Sequence, residues 1–219
     1  MAFVRAFETT MRLGAQRALL GSLALWIPNR ELDEAVAKTR SYLSFYMQRA
    51  RAEVEAKKGS RERSYVFFDE LVKSGADDAY VRDQLLSIIT AGRDTTAHSL
   101  AACFYYLARD PAALGRCRDE IAAVGTEVPT WEQLKNMKYL NNVVREALRL
   151  LPPVATNSRA TVRETVLPRG GGRDGRSPML LPKGTPTRYA PYSMHRRKDV
   201  YGEDADEFKP ERWEELRVT

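Results

Sequence analysis

The sequence has few side chains that bind metals through sulfur or imidazole. Its 219 residues include two cysteines, Cys103 and Cys117, and two histidines. The cysteines form no C-x-x-C pair, so the pattern predicts neither a zinc site nor a disulfide framework. Both cysteines lie in helix-like segments. Each is therefore expected to act as a small apolar residue in a protein that faces a reducing compartment.

Long hydrophobic runs are also absent. The most apolar stretch, residues 18–27, ends at Pro28 and is only half as long as the roughly 20 residues that a membrane-spanning helix needs. Glu8 and the lack of a cleavage site argue against a secretory leader. We therefore expect residues 1–27 to pack on a core or to contact a membrane surface.

Charge of one sign is not strongly in excess. The formal net charge is +6, and the 35 lysines and arginines are interspersed with 29 acidic residues, as in residues 49–53. This pattern predicts solvated helix faces. Nucleic-acid binding would require a denser basic stripe with aromatic side chains, so we expect no nucleic-acid partner. A basic surface that docks an acidic protein remains an open alternative.

Most of the chain has the apolar spacing of helices, which predicts a mainly α fold with a small β portion. Thr130 and Gln133 form a capping box that begins one helix, and Gly75 and Gly125 are placed to end others. The predicted helices span residues 3–25 (as one helix or two), 31–57, 65–74, 77–110, 112–124 and 131–151.

The composition of the sequence changes after Pro152-Pro153. Residues 161–167, 179–181 and 187–192 have the composition of short strands, and loop is predicted from residue 201 on. Gly170, Gly172 and Gly175 match G-x-G-x-x-G. Because no helix follows them, we interpret this segment as a hairpin connection and not as a dinucleotide site.

The helix predicted at residues 77–110 has an unusual middle, A-G-R-D-T-T. Glycine costs about 1 kcal/mol relative to alanine in a helix, and threonine hydroxyls compete for backbone carbonyls. Ala91 and Gly92 would let a flat group approach the backbone. A buried Asp94 beside the Thr95 hydroxyl could deliver protons. The alternative is a packing glycine in an ordinary core helix, with the threonine hydroxyls bonded back to the helix backbone.

A second group of motifs follows. Glu146 and Arg149 are spaced to share a helix face, Pro152-Pro153 comes next, and P-E-R-W lies about sixty residues on. The ordered set resembles the cytochrome P450 superfamily, the haem-thiolate monooxygenases. Residues 192–197 and the run L-P-R-G-G-G-R-D-G are most similar to the branch of eukaryotic microbes that hydroxylates alkanes and fatty acids.

The resemblance implies a partial fold of that family over residues 1–219, helical to residue 160, with short strands and a meander in 161–219. It also implies a role for each matched residue. Ala91 and Gly92 would line the oxygen-binding face of the haem, and Asp94 and Thr95 would relay protons there. Arg159 would pair with a haem propionate. A buried ion-pair triad would be formed by Glu146, Arg149 and Arg212. His195 is expected at a turn and not at a metal.

The sequence departs from the family at the iron ligand. The family's cysteine loop lies downstream of P-E-R-W, and this chain ends at Thr219. Cys103 lies roughly 12 Å along the helix from Thr95, and Cys117 belongs to another helix, so neither is expected to replace it. We therefore expect a fragment, truncated at both ends, that is inactive alone and holds no haem as a thiolate complex.

The resemblance further implies the partners of a complete family member. Such a protein would bind haem, receive electrons from a flavoprotein reductase and hydroxylate a hydrophobic small molecule. It would lie on the cytosolic face of the endoplasmic reticulum membrane, held by an anchor that this chain lacks. The alternative is a non-catalytic helical scaffold or interaction protein derived from the same family.

Overall fold

The computed structural model describes residues 2–56, 67, 70–71, 74–125 and 128–216. It confirms the predicted fold class, since helices predominate and the strands are short. Two compact units divide the chain, the first ending at Gly92 and the second beginning at Arg93. The helix predicted at residues 65–74 falls mostly outside the described residues.

Helices form most of both units. They are α1 (Ala2–Leu19), α2 (Arg30–Ala56), α3 (Asp78–Leu107), α4 (Pro111–Val124), α5 (Trp131–Asn136), α6 (Lys138–Leu150), α7 (Pro191–Met194), α8 (Lys198–Tyr201) and α9 (Arg212–Glu215). A 3-10 helix (Gly21–Trp26) follows α1, so the predicted helix at residues 3–25 changes type at Gly21. Within the described residues, no helix combines the length and the apolar character that crossing a bilayer requires.

In the first unit, α1 packs along α2 through aromatic rings. Phe3 stacks on Tyr42 with ring centroids 4.0 Å apart, and Phe7 beside it is buried. The start of α3 belongs to this unit, because Thr90 lies 3.8 Å from the sulfur of Met11. These contacts bury one face of each helix. The segment after α1 keeps Leu23, Leu25 and Trp26 exposed.

The second unit has a small apolar core between α4 and α6. Its buried residues are Leu107, Ala113, Cys117, Tyr139 and Val143. Asp110 caps α4 by accepting from the backbone N–H of Ala113 at 2.9 Å, as the Asp-Pro pair predicts. Phe208 covers this core, stacked parallel to Tyr106 at 4.6 Å.

The predicted helix at residues 131–151 is interrupted, which the sequence pattern did not show. The capping box at Thr130 is present and begins α5, but the helix stops at Met137 and α6 starts anew. The carboxylate of Glu120 in α4 accepts from the backbone N–H groups of Tyr139 and Leu140, at 3.1 and 2.8 Å. A side chain distant in sequence therefore caps α6, and local propensity could not predict it.

Four strands form two antiparallel pairs. They are β1 (Asn157–Ala160), β2 (Thr165–Gly171), β3 (Ser177–Leu181) and β4 (Pro186–Tyr189). Strand β1 pairs with β4, and β2 pairs with β3 around an irregularity between Leu167 and Gly171. The Gly170–172–175 segment thus belongs to a hairpin, as predicted. A side chain at Gly171 would meet the carbonyl oxygen of Pro178 at 2.5 Å, so glycine is required there.

Two strand predictions need correction. Residues 161–167 were expected to form one strand, but the chain bends there and β2 begins at Thr165. Strand β1 was not predicted, since N-S-R-A has no β-branched or aromatic residue. The strand expected at 187–192 ends at Tyr189, because Pro191 opens the short helix α7.

Candidate functional site

The middle of α3 presents a smooth face of small residues. The chain remains α-helical through Gly92 and both threonines, so the expected weakening does not interrupt the helix. Ala91 and Gly92 are exposed, and a methyl group built on Gly92 would meet no atom within 4 Å. The alternative of a glycine that packs against a neighbour is therefore not what the described residues show.

Polar side chains follow directly on the same helix. The side chain of Asp94 is 63% exposed and lies 3.8 Å from Arg93, so the burial expected for this acid is not observed. Thr95 is half-buried, and its carbonyl oxygen accepts from the Ser99 hydroxyl at 2.8 Å. A carboxylate and a hydroxyl thus stand one residue apart beside the small-residue face.

A buried carboxylate organises the second unit. Glu146 in α6 has no exposed side-chain surface, and the Arg149 side chain is 1% exposed. Arg149 donates to both carboxylate oxygens, from Nε at 2.9 Å and from Nη2 at 2.8 Å. Such a bidentate, charge-assisted pair has a fixed geometry. The spacing of three residues on a helix makes it available locally.

The meander after α8 completes the surroundings of this carboxylate. Glu146 also accepts from the backbone N–H of Lys209 at 3.0 Å, from Arg212 Nε at 3.4 Å and from the indole of Trp213 at 2.9 Å. The structure therefore brings Glu146, Arg149 and Arg212 together. Since a buried charge without partners is very costly, this number of donors is what permits burial. We call these residues, with Trp213, the Glu146 cluster.

Arg149 connects the cluster to backbone on the opposite side. Its Nη1 donates to the carbonyl oxygen of His195 at 2.7 Å and to that of Ala205, and Nη2 donates to Glu207 at 3.1 Å. The ring Nδ1 of His195 lies 3.2 Å from the carbonyl oxygen of Arg149. His195 ends α7, at a turn as expected. One guanidinium thus holds three carbonyl groups from two stretches of the chain, one at His195 and one at residues 205–207.

Arg212 also binds a second carboxylate, that of Asp204. Its Nη1 donates to Asp204 Oδ1 at 2.8 Å, and its Nη2 donates to the Asp204 carbonyl oxygen at 2.9 Å. Hydrogen bonds from Arg212 and then Lys209 lower the pKa of Asp204 to about 2. The carboxylate therefore stays charged at any physiological pH, and Arg212 bridges two acids.

A further polar layer joins α4 and α6 to the meander. The Tyr139 hydroxyl donates to Glu211 at 3.0 Å, and Glu211 also pairs with Arg116. The Arg116 guanidinium lies over the Tyr139 ring at 3.9 Å from its centroid. Burial and the hydrogen bond to Glu211 raise the pKa of Tyr139, so the hydroxyl remains a donor.

Arg159 lies on β1, and its hydrogen bonds go to neighbouring residues of that strand. Its Nη1 donates to Asn157 Oδ1 at 3.2 Å and to the Ser158 carbonyl oxygen at 2.9 Å. The guanidinium lies 5.7 Å from the centroid of the Tyr189 ring on the paired strand β4. The residue is exposed, which leaves the rest of its guanidinium available to an acidic group.

Gly92 and Arg159 each have the properties that the resemblance requires of them, whereas the two cysteines do not. Gly92 offers an open, flat approach, and Arg159 offers an exposed cation. By contrast, Cys103 is half-buried and Cys117 is buried, and burial raises the pKa of both thiols. A raised pKa opposes the thiolate form that binds metals.

Several members of the polar network were not singled out by sequence. Trp213 stands next to Arg212, and its indole is a usual donor, so its contact with Glu146 had a local signal. Asp204, Glu120 and Tyr139 had none, because each acts on a segment that is distant in sequence. The four candidates on α3 lie on a helix, as their motif predicts, whereas Arg159 lies on strand β1, which the sequence did not predict.

Comparison with known proteins agrees with the motifs. A sequence model of the family described as Cytochrome P450 matches residues 5–218. The chain is 40% identical over 224 residues to Cytochrome P450 monooxygenase FPY7 of Fusarium mangiferae, covering 98% of this chain and 43% of the relative. It is 41% identical over 226 residues to Cytochrome P450 52A13 of Debaryomyces hansenii, covering 99% and 43%.

A third relative has a similar identity and a similar coverage. Cytochrome P450 52A5 of Candida maltosa is 41% identical over 219 residues, which are 96% of this chain and 41% of the relative. The chain therefore spans about two-fifths of the length of the curated relatives it matches.

Proposed function

Because the chain belongs to the cytochrome P450 family, we propose that it is a segment of a haem-thiolate monooxygenase. In this proposal residues 1–219 form one partial domain. They contribute the helix beside the oxygen-binding face of the haem and the polar network that fixes the meander. The observation that carries the proposal is the Glu146 cluster, since Glu146 is fully buried and accepts from Arg149, Arg212 and Trp213.

Each candidate residue has a proposed role. Ala91 and Gly92 keep the helix face flat against the haem, and the open space around Gly92 supports this role. Asp94 and Thr95 hold and move protons at the carboxylate and the hydroxyl, which stand beside that face. Arg159 pairs with a propionate through the part of its guanidinium that is exposed. The bound haem itself would supply the oxygen chemistry.

The Glu146 cluster has a positioning role in this proposal. Arg149 holds the carbonyl groups of His195, Ala205 and Glu207, which belong to the segment between α7 and α9. Fixing this segment would set the path of the chain beneath the haem. The buried ion pair gives the segment one arrangement, because any slip would leave a charge without its partners.

The partners are those of the complete family member. We propose a flavoprotein reductase as the electron donor and a hydrophobic substrate, an alkane or a fatty acid. The similarity to two relatives named Cytochrome P450 52A supports this choice. We also propose a location on the cytosolic face of the endoplasmic reticulum membrane. Exposed Leu19, Leu25 and Trp26 support a membrane-surface contact through residues 1–27.

The 219-residue polypeptide by itself is proposed to be inactive. Its thiols are shielded in helices and have raised pKa values, so a thiolate ligand to iron is disfavoured. Purified chain mixed with haem, reduced and exposed to carbon monoxide should lack the thiolate-type Soret band. A band that appears, and is lost in Cys103→Ser or Cys117→Ser, would contradict this.

A chimera tests the proposed function directly. The chain would replace the matching segment of the Candida maltosa relative, to which it is 41% identical. We expect this chimera to show the thiolate-type band and Glu146→Ala to abolish it, whereas Arg145→Ala, an exposed change on the same helix, should leave it intact. A chimera that folds but never shows the band would refute the proposal, and so would one in which Glu146→Ala has no effect.

The chain alone should also expose apolar surface. In the first unit an open groove of about 340 Å³ is lined by Tyr42, Leu43, Tyr46, Met47, Ala50, Leu85 and Ile89. Exposed apolar patches of this kind promote association, so we expect the chain to aggregate or to bind a hydrophobic dye. A protein that stays monomeric and does not increase the fluorescence of the dye would contradict this expectation.

The same groove favours one second candidate, a non-catalytic helical scaffold that binds a partner. The two functions differ in what the transcript encodes after the Thr219 codon. An in-frame continuation with a glycine-rich loop that contains a cysteine supports the monooxygenase. A stop codon, with the 219-residue protein accumulating in cells, supports the scaffold.

A further inference from the structure

The two histidines of the chain contact the same end of one helix. His98 in α3 has its Nε2 atom 3.1 Å from the carbonyl oxygen of Leu151. His195, which ends α7, has its Nδ1 atom 3.2 Å from the carbonyl oxygen of Arg149. Both oxygens belong to the C-terminal end of α6, so the two rings reach that end from two different elements.

The end of α6 needs donors from outside the helix. The last four carbonyl groups of a helix have no partner within it, and Pro152 and Pro153, which follow, have no backbone N–H to offer. These carbonyl groups also form the negative end of the helix dipole, which attracts donors. Because a carbonyl oxygen can only accept, the ring nitrogen beside it must carry the proton. His98 therefore donates from Nε2, and His195 donates from Nδ1.

His98 connects this end of α6 to the segment of α3 that carries the candidate proton groups. It lies three residues after Thr95, which is nearly one helical turn, so the two side chains occupy neighbouring positions on α3. Its partner Leu151 lies two residues after Arg149, whose guanidinium is fixed in the Glu146 cluster. The contact therefore joins the hydroxyl-bearing segment of α3 to the buried network of α6.

We propose that His98 is a positioning residue, which holds this segment of α3 against the end of α6 through its hydrogen bond to Leu151. The role rests on the proposed function, in which Asp94 and Thr95 hold and move protons beside the haem. Proton transfer requires groups within hydrogen-bond reach, about 3 Å. A segment of α3 that is free to shift would therefore hold the acid and the hydroxyl in place for less of the time.

Hydrogen exchange of the 219-residue chain, followed by mass spectrometry at low protein concentration, tests the contact without any haem. Losing one hydrogen bond should speed exchange in residues 93–103 by about fivefold, and the better helix propensity of alanine offsets part of this. We therefore expect His98→Ala to exchange about twofold faster than the unchanged chain. The variant His98→Gln keeps an N–H donor on the side chain and should restore the original rate.

A matched variant separates the hydrogen bond from helix propensity. Thr96 is exposed on the same segment, and threonine and histidine have nearly equal helix propensities. Thr96→Ala should therefore slow exchange in residues 93–103, by about twofold. The proposal is overturned if His98→Ala slows exchange as much as Thr96→Ala does, or if His98→Gln exchanges as fast as His98→Ala.

The positions of the ring protons give a second readout, which simple packing of the side chain would not determine. Because the sequence has two histidines, isotope labelling of histidine nitrogen gives two sets of ring signals, and His98→Gln removes one. With both rings neutral, His98 should carry its proton on Nε2 and His195 on Nδ1. Solid-state spectra of sedimented protein show this even when the chain associates. A proton on Nδ1 of neutral His98 would overturn the proposal, because Nε2 could not then donate.

The chimera with the Candida maltosa relative tests the consequence for proton delivery. When a reductase supplies two electrons, one O2 and two protons give either a hydroxylated fatty acid and water or hydrogen peroxide. We expect His98→Ala to raise the share of peroxide while the thiolate-type band remains, and His98→Gln to reverse this. An unchanged share in His98→Ala would overturn the role of His98. A chimera without the band would instead refute the proposed function, and the two readouts on the chain alone would still decide the positioning.

Discussion

The surroundings of Glu146 and the middle of α3 differ in how completely this chain provides their contacts. Glu146 is fully buried and accepts from five donors, all within the second unit. In α3, by contrast, none of residues 82–101 is buried. The polar network is complete within two-fifths of a family member's length, whereas the face that would meet the haem is open.

The polar network is complete because its residues lie close to one another in the sequence. The network is formed by α6 and by a segment that follows it within about seventy residues. The middle of α3 is not covered in this way by the described residues, and the space beside Gly92 is open. In the proposed function this space belongs to the haem, so the segment alone satisfies the polar network but leaves the helix face uncovered.

The largest effect is expected from breaking the network. In Arg149→Ala, Glu146 would keep its burial but lose the bidentate partner, and three carbonyl groups would lose a donor. Removing one partner of a buried pair costs about 3–5 kcal/mol. Pulse proteolysis in urea, at low protein concentration, measures the loss. Arg145→Ala should change stability by less than about 0.5 kcal/mol, and an equal effect of the two changes would show that the network is not formed.

A smaller loss is expected at the edge of the network. Tyr139→Phe removes the hydroxyl that donates to Glu211 and keeps the ring beneath Arg116. The expected cost is about 0.5–1.5 kcal/mol, the net value of one hydrogen bond. Urea unfolding followed by proteolysis would again detect it. Tyr105→Phe, on an exposed ring, is the control, and a Tyr139→Phe protein no weaker than that control would remove Tyr139 from the network.

A gain in stability, and not a loss, is expected from a substitution in the middle of α3. Gly92→Ala should stabilise the isolated chain by about 0.5–1 kcal/mol, because helix propensity improves and no neighbour lies within 4 Å of the added methyl group. Gly14→Ala in α1, where the space is equally open, should give a similar gain. If Gly92→Ala destabilises the isolated chain while Gly14→Ala stabilises it, the face is already covered and the comparison fails.

The smallest effect concerns pH. The folded pKa of Asp204 is lowered to about 2 by hydrogen bonds from Arg212 and Lys209, whereas an unfolded aspartate titrates near pH 3.9, roughly. Its contribution is therefore present above pH 3.9 and is lost as the pH falls towards 2. Asp204→Asn should reduce the acid-induced loss of stability over that interval. Asp119→Asn, an exposed change in α4, should leave the acid-induced loss of stability unchanged. If the stability of Asp204→Asn falls with acid as much as that of the unchanged chain, Asp204 is not paired with Arg212 and Lys209.

The helices could be predicted because their signals are local. The Asp-Pro pair before α4 and the capping box before α5 act within three residues, and both are seen. The break at Met137 depends on Glu120, about twenty residues earlier, whose carboxylate caps the next helix. Strand β1 depends on pairing with β4, and its own four residues carry no strand preference.

The candidate site divides in the same way. Motif spacing predicted that Glu146 and Arg149 share a helix face, and the family resemblance implied that Arg212 pairs with them. Asp204 was missed because its contact with Arg212 arises from the turn between α8 and α9. The burial expected for Asp94 is not seen among the described residues, where its side chain is 63% exposed.

Hydrogen exchange tests the central comparison most directly. Helices with few buried contacts open more easily than helices held in a core. In the 219-residue chain, the backbone amides of α6 should exchange more slowly than those of residues 85–100 in α3, although both segments are helical. Equal protection, or slower exchange in α3, would contradict the account in which the polar network is complete and the middle of α3 is open.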